Sequence, residues 1–246
     1  MSVMPADPAG LLRATTALHD QWAALRPWVR DLLDDVPDTA ARPSVLAGWS
    51  VADLVAHLGR AMDALTAVTP APPTTTPLPL RAYLAGYAAG AATIAEVTRS
   101  LAADIADDPL THVDRMVEAA LEHLAALGPH DRVVVARRGP ITLTDMVVSR
   151  VLELVVHADD LARSLPERGP AALDPGAVHV AARSLVEVLQ RAGGPPVRRL
   201  HDPMGWVRLA AGRGPLAGEG LDDAVAAAVE TSSGTAADVA RHLPLL

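Results

Sequence analysis

The sequence predicts a mainly α-helical protein, a bundle of long helices followed by a small α+β region, and three observations lead there. Half of the residues are hydrophobic, yet only six are aromatic (four Trp, two Tyr) and Phe is absent. A core of that composition is built from Ala, Leu and Val, and the Ala- and Leu-rich balance favours closely packed helices over sheets. Apolar residues also recur at helical spacing through several long segments separated by Pro-, Gly- and Asp-rich stretches. Finally, helix-start signals stand at the heads of these segments, as at Ser50, Thr142 and Asp174-Pro175. A boundary is expected at Pro166–Pro170, dividing a bundle over 1–168 from a C-terminal domain over 169–246.

The elements follow in order. Leu11, Leu18, Trp22, Leu25 and Leu32 place a first helix over residues 8–35, with a kink expected at Pro27. The Asp- and Pro-rich segment 35–43 reads as a loop. Ser50-Val51-Ala52-Asp53 is a capping-box arrangement with Asp in the place of Glu, and it opens a second helix to about Val68. On that helix His57 shares a face with Asp53, Leu54, Ala61 and Ala64, so it is expected to point inward among small residues. Pro70–Pro79 (PAPPTTTPLP) cannot be helical and reads as an extended surface linker.

A third helix is expected over Leu80–Ala106, with Tyr83 and Tyr87 one turn apart, and a fourth over Pro109–Leu127. On the fourth, His112 and His123 stand among acidic residues and read as solvated. Arg132–Ala136 is expected as a short strand before a turn at Arg138-Gly139-Pro140. Beyond the boundary, Asp174-Pro175 starts a helix to Arg191, Val197–Leu200 reads as a strand, and Asp202-Pro203 starts a short helix ended by Gly212. The tail offers a segment from Ala224, a strand near Glu230–Ser232 and a last helix over Ala236–His242.

The helix after Thr142 carries the chemistry. Within the apolar run DMVVSRVLELVVHADDLARS, Arg150, Glu153, His157, Asp160 and Ser164 fall within roughly 80° of arc at about 100° per residue. Glu153 and His157 emerge one turn apart on one face, a spacing that suits two ligands of one zinc or similar divalent ion. The competing reading is a plain i, i+4 pair worth a few tenths of a kcal/mol. Flanking residues too apolar for a solvated helix, and His57 upstream as a third donor, favour the metal.

Composition excludes other classes. A net charge of −8 argues against a nucleic-acid partner. No apolar run is long and charge-free enough to predict a membrane span, and the start MSVMPADPAG does not read as a signal peptide. Cysteine is absent, so disulfides and Cys-based zinc sites are ruled out, and any thiol must come from a bound small molecule. A cytoplasmic protein acting on a small-molecule substrate is expected.

Two blocks, LAGWSVADLVAHLGR (Leu46–Arg60) and RVLELVVHADDLARSL (Arg150–Leu165), resemble the mycothiol-dependent maleylpyruvate isomerase family, a relative of the DinB-like four-helix bundles. The resemblance implies a zinc held by His57, Glu153 and His157 and a thiol cofactor, mycothiol, activated at the open zinc position. The C-terminal third, through DPMGWVRLAAGR (Asp202–Arg213) and the ending LPLL, resembles a sterol-carrier-like domain, shortened before Trp206.

Two residues beside the ligands are candidates for catalysis. Asp160 is a fourth ligand, an orienter of an imidazole, or a solvated charge; Arg150 is a clamp for a substrate carboxylate or a buried partner of Glu153 or Asp160. For the catalytic arginine that the resemblance implies in the second domain, Arg208, Arg213 and Arg241 are the available substitutes, each read as a surface charge. The leading function is a divalent-metal enzyme using a small thiol for isomerisation or sulfur transfer on a small electrophile. The alternative is a binding module for a lipid or hydrophobic molecule, with a structural or lost metal. Nickel, iron or manganese could replace zinc, because nitrogen and oxygen donors discriminate weakly.

Overall fold

The computed structural model describes residues 8–34, 39–215 and 219–246, so residues 35–38 of the expected first loop lie outside the described residues. Four long helices close a ring. They are α1 (Pro8–Asp34), α2 (Val51–Asp63), α4 (Pro109–Leu127) and α5 (Leu143–Ser164), with α3 (Leu80–Asp104) laid over α2 and α5. This is the DinB-like four-helix bundle, and α5 is its axis. Met146, Val147, Val151, Leu154, Val155, Ala158 and Leu161 are all fully buried, because α1, α2, α3 and α6 (Pro175–Arg191) surround it. α1 runs unbroken through Pro27.

Local chemistry sets the starts. Ser50 Oγ accepts from the Asp53 N–H at 3.1 Å, and Asp53 accepts from the Ser50 N–H at 2.8 Å, the expected capping box. Thr142 accepts from the Asp145 N–H at 3.0 Å at the head of α5. Three expectations change. α2 ends at Asp63 instead of Val68, and the chain continues in turns with Leu65 and Val68 buried. The Pro/Thr linker begins in a strand, β1 (Thr69–Pro70), paired antiparallel with β2 (Val133–Ala136). The turn expected at Arg138-Gly139-Pro140 falls at Arg137-Arg138, and Gly139 and Pro140 already belong to β3 (Gly139–Thr142), also antiparallel to β2. Pro140 hid that strand because proline cannot donate to a ladder; the order β1-β2-β3 puts it on an edge, where it is tolerated.

Gly59 lets α2 and α4 approach closely. A Cβ there would come within 2.9 Å of Met116 Sδ, 3.1 Å of Val113 Cγ2 and 3.4 Å of the Val113 Cα. The Met116 tail can swing away; Val113 cannot without moving α4. Gly59→Val is therefore expected to cost about 1–3 kcal/mol, read as a lower urea midpoint at an unchanged slope. An unchanged midpoint would show that the two helices separate freely.

After a single 3-10 turn (Pro166–Arg168), α6 packs on α1 and α5. α7 (Pro203–Ala210) lies on α6, anchored by Trp206, which is fully buried and donates its indole N–H to the Ala182 carbonyl at 3.1 Å. α8 (Glu219–Ala228) and α9 (Ala236–Ala240) follow. The α+β character comes from β4 (Val197–Leu200) paired antiparallel with β5 (Val229–Thr231). Among the described residues no helix is long and apolar enough to cross a membrane.

Candidate metal centre

Two distant helices bring the three expected donors together. Glu153 Oε2 lies 3.1 Å from His57 Nε2 and 3.2 Å from His157 Nε2. The imidazoles stand edge to face with centroids 4.6 Å apart. Each residue offers one ligand atom within 4.8 Å of the other two, and among the described residues this is the group that could hold a metal ion. The donor set passes a simple test of fit. Two nitrogen or oxygen ligands about 2.0–2.1 Å from a tetrahedral ion stand about 3.3 Å apart, close to both separations.

α2 delivers His57 because its capping box fixes where the helix starts. The loop before it turns at Gly48, whose φ of 77° is a left-handed conformation that glycine adopts without strain. That turn sets Trp49 edge to face against His57, with centroids 5.2 Å apart. Trp49 Nα donates to the Leu46 carbonyl at 3.0 Å, which holds the turn closed. The Nδ1 atom of His57 is buried and has no hydrogen-bond partner.

Asp160 is not among the three convergent donors. Its Oδ2 faces His157 Nδ1 at 3.0 Å, so it orients the imidazole and keeps Nε2 aimed at Glu153. Asp160 is in turn gripped by both arms of Arg213, at 3.1 Å each, and Arg208 grips neighbouring Asp159 at 2.9 and 2.6 Å. Arg208 stays exposed, a surface charge as expected although it pairs with a buried carboxylate, whereas the expectation for Arg213 is corrected: buried Asp160 draws its guanidinium partly in. Arg241 is an exposed charge as expected and pairs with Asp238 of α9. Arg150 takes its buried alternative. It is 2% exposed, donates to the Ala61 carbonyl at 3.0 Å, to Ser149 Oγ and to the Tyr87 hydroxyl, and lies 4.0 Å from Glu153 Oε1. His123 is also corrected: it is half-buried, with Nε2 2.8 Å from the Val68 carbonyl oxygen. His112 is half-buried too, with Nδ1 2.9 Å from the Asp108 carbonyl oxygen.

Electrostatics within the cluster are steep. Burial opposes charge on Glu153, but hydrogen bonds from His157 and His57 hold its carboxyl well below the usual range. Burial and the neighbouring His157 push His57 down. Burial would also lower His157, yet its hydrogen bonds to Asp160 and Glu153 prevail and raise it to about 9. Without an ion, His157 is therefore an imidazolium between two carboxylates.

A cation needs the lone pair that this proton occupies, so metal binding displaces it at any pH below about 9, and affinity rises with pH over that range. Metal-free stability runs the other way. His157 contributes in full below its unfolded value near 6.5 and loses that contribution as pH rises through about 9. Calorimetric titration with zinc in two buffers of different ionisation heat should show proton release near neutral pH, fading toward pH 9; a heat independent of buffer would remove this account.

The cluster sits on one wall of a cavity of about 480 Å³. Trp49, Leu84, Ile94, Leu152 and Val156 give it apolar sides, while Tyr87, Ser149 and Arg213 join Glu153 and the histidines as polar groups. That combination suits a small ligand with an apolar body. The sequence pointed to neither Trp49 nor Tyr87 as a site residue, and it offered Arg213 only beside Arg208 and Arg241 as a substitute for a catalytic arginine. The one available signal was the spacing of Tyr83 and Tyr87, which does not say what the rings face.

The model of one family, described as mycothiol maleylpyruvate isomerase N-terminal domain, matches residues 9–162. That span holds all three donors and Asp160. No curated protein and no solved structure matches the chain.

Proposed function

Because the chain belongs to the mycothiol maleylpyruvate isomerase N-terminal domain family, we propose that it is a metal-dependent enzyme using a small thiol of the mycothiol type. The reaction would be isomerisation of a small electrophile or transfer of sulfur onto it. His57, Glu153 and His157 would hold the ion, with zinc the best fit to two imidazoles and one carboxylate. Such an ion supplies Lewis acidity that lowers the pKa of a thiol and makes it nucleophilic at neutral pH.

This chain's own residues do the rest. Asp160 accepts from His157 Nδ1 and so fixes the tautomer with a lone pair on Nε2. Arg213 fixes Asp160 and brings the C-terminal region into the site. Leu152, Val156 and Ile94 exclude water from the cavity and hold the apolar part of a substrate. The absence of cysteine means that the thiol comes from outside the chain.

The observation that carries the reading is the convergence of three donors on the wall of that cavity and not in a closed core. Such placement favours a catalytic ion over a structural one, which would have a filled coordination shell. The test is metal analysis of protein purified without chelators, followed by thermal melts of the loaded protein with and without mycothiol. Expected are one divalent ion per chain and a thiol-dependent rise in melting temperature. Protein without stoichiometric metal, or loaded protein indifferent to the thiol, would overturn it.

A further inference from the structure

The cavity beside the three donors is walled largely by carbon. α3 contributes Leu84, Ala88, Ala91 and Ile94 on successive turns of one face, and α5 adds Leu152 and Val156. From Leu84 to Ile94 the α3 wall is about 15 Å long at 1.5 Å per residue. The chain contains no Lys, so a substrate carboxylate would have to meet an arginine there. Among the described residues one guanidinium lines the cavity, that of Arg213. Its charge is already compensated. Nε and Nη2 each lie 3.1 Å from an Asp160 oxygen, and Nη1 donates to the Ala211 carbonyl at 2.8 Å. Arg150, 2% exposed, directs its donors to the Ala61 carbonyl, Ser149 Oγ and the Tyr87 hydroxyl. Ser149 in turn donates to the Met146 carbonyl at 2.6 Å. His57 and His157 are neutral when they hold an ion, so they offer a substrate no charge either.

From this arrangement we infer that the site selects an uncharged, largely apolar electrophile and rejects one that carries a carboxylate. The inference rests on the proposed metal and thiol site and names the substrate class for it. A hydrocarbon body laid along α3 is favoured in proportion to the apolar area it covers. A carboxylate on the same wall gives up its water without gaining a cation, which burial penalises heavily. Turning Arg213 away to receive it would take that counter-charge from buried Asp160, and Asp160 is the group that orients His157. The guanidinium is therefore held to its structural task.

Two five-carbon thiols separate the classes without turnover. Pentane-1-thiol and 5-mercaptopentanoate differ only in a methyl against a carboxylate at the end far from sulfur. In calorimetric titration of the zinc-loaded protein both should bind one per ion, pentane-1-thiol more tightly by about tenfold or more. Ile94→Arg and Ala91→Arg each add a cation to the wall without touching an ion ligand. In at least one of them 5-mercaptopentanoate should recover most of that difference. Equal affinities in the wild-type protein, or tighter binding of 5-mercaptopentanoate, overturn the inference while leaving the metal and thiol site intact. A preference unchanged in both arginine variants, each folded by circular dichroism, overturns it as well, because the missing cation would then not be what selects. Protein that takes up no zinc, or zinc-loaded protein that binds neither thiol, overturns the proposed function and this inference together.

Discussion

His57→Ala and His157→Ala should each purify without stoichiometric divalent metal while keeping a helical circular dichroism spectrum. Each histidine supplies one of three donors brought together by different helices, and two remaining donors cannot hold an ion against a chelator. The variants differ in what they leave behind. Burial pushes His57 toward its neutral form and its Nδ1 has no partner, so truncation forfeits, besides the ion, one hydrogen bond to Glu153 and the contact with Trp49. His157→Ala also strips Asp160 and Glu153 of their shared imidazolium, leaving two buried carboxylates with Arg213 and Arg163 beside the first and Arg150 beside the second. Metal-free His157→Ala should therefore melt lower than metal-free His57→Ala. Full metal occupancy in both variants would remove the site assignment altogether.

Glu153→Ala should lose the metal and also destabilise the metal-free protein by about 3–5 kcal/mol, the usual penalty for leaving buried charge without its partner. In the folded chain Glu153 is the carboxylate for His57, His157 and Arg150 at once, at 3.1, 3.2 and 4.0 Å. Removing it confines the Arg150 guanidinium, 2% exposed, with neutral partners only: Ala61, Ser149 and Tyr87. Glu153→Gln retains the shape and some hydrogen bonds and should lose less stability while still losing the ion. Urea unfolding in the presence of chelator separates this charge effect from the metal's own contribution to stability. An unchanged urea midpoint for metal-free Glu153→Ala would mean that the cluster is solvated enough to tolerate its loss.

Most of the bundle was legible because its signals are local. Ser50 and Asp53, Thr142 and Asp145, and Asp174 with Pro175 each mark a helix start within four residues, and each cap forms. The elements that misled are those whose state depends on a partner elsewhere in the chain. Thr69 and Pro70 are strand because β2 lies beside them, and Pro140 is strand because it occupies an edge. His123 looked solvated beside its acidic neighbours; the acceptor that draws it in, the Val68 carbonyl, is 55 positions away.

For the site, sequence alone determined the donors. Helical periodicity puts Glu153 and His157 on one face, and an inward His57 on a capped helix supplies a third, because side-chain direction along a helix follows from the pitch. Tertiary structure decided everything that depends on distance between elements. It made Arg150 a buried partner and not a clamp, made Asp160 an orienter held by Arg213, and set the Tyr87 hydroxyl against Arg150. The physical reason is range: a helix imposes its geometry over a turn or two, whereas charge pairing and desolvation act through space between residues that packing alone brings together.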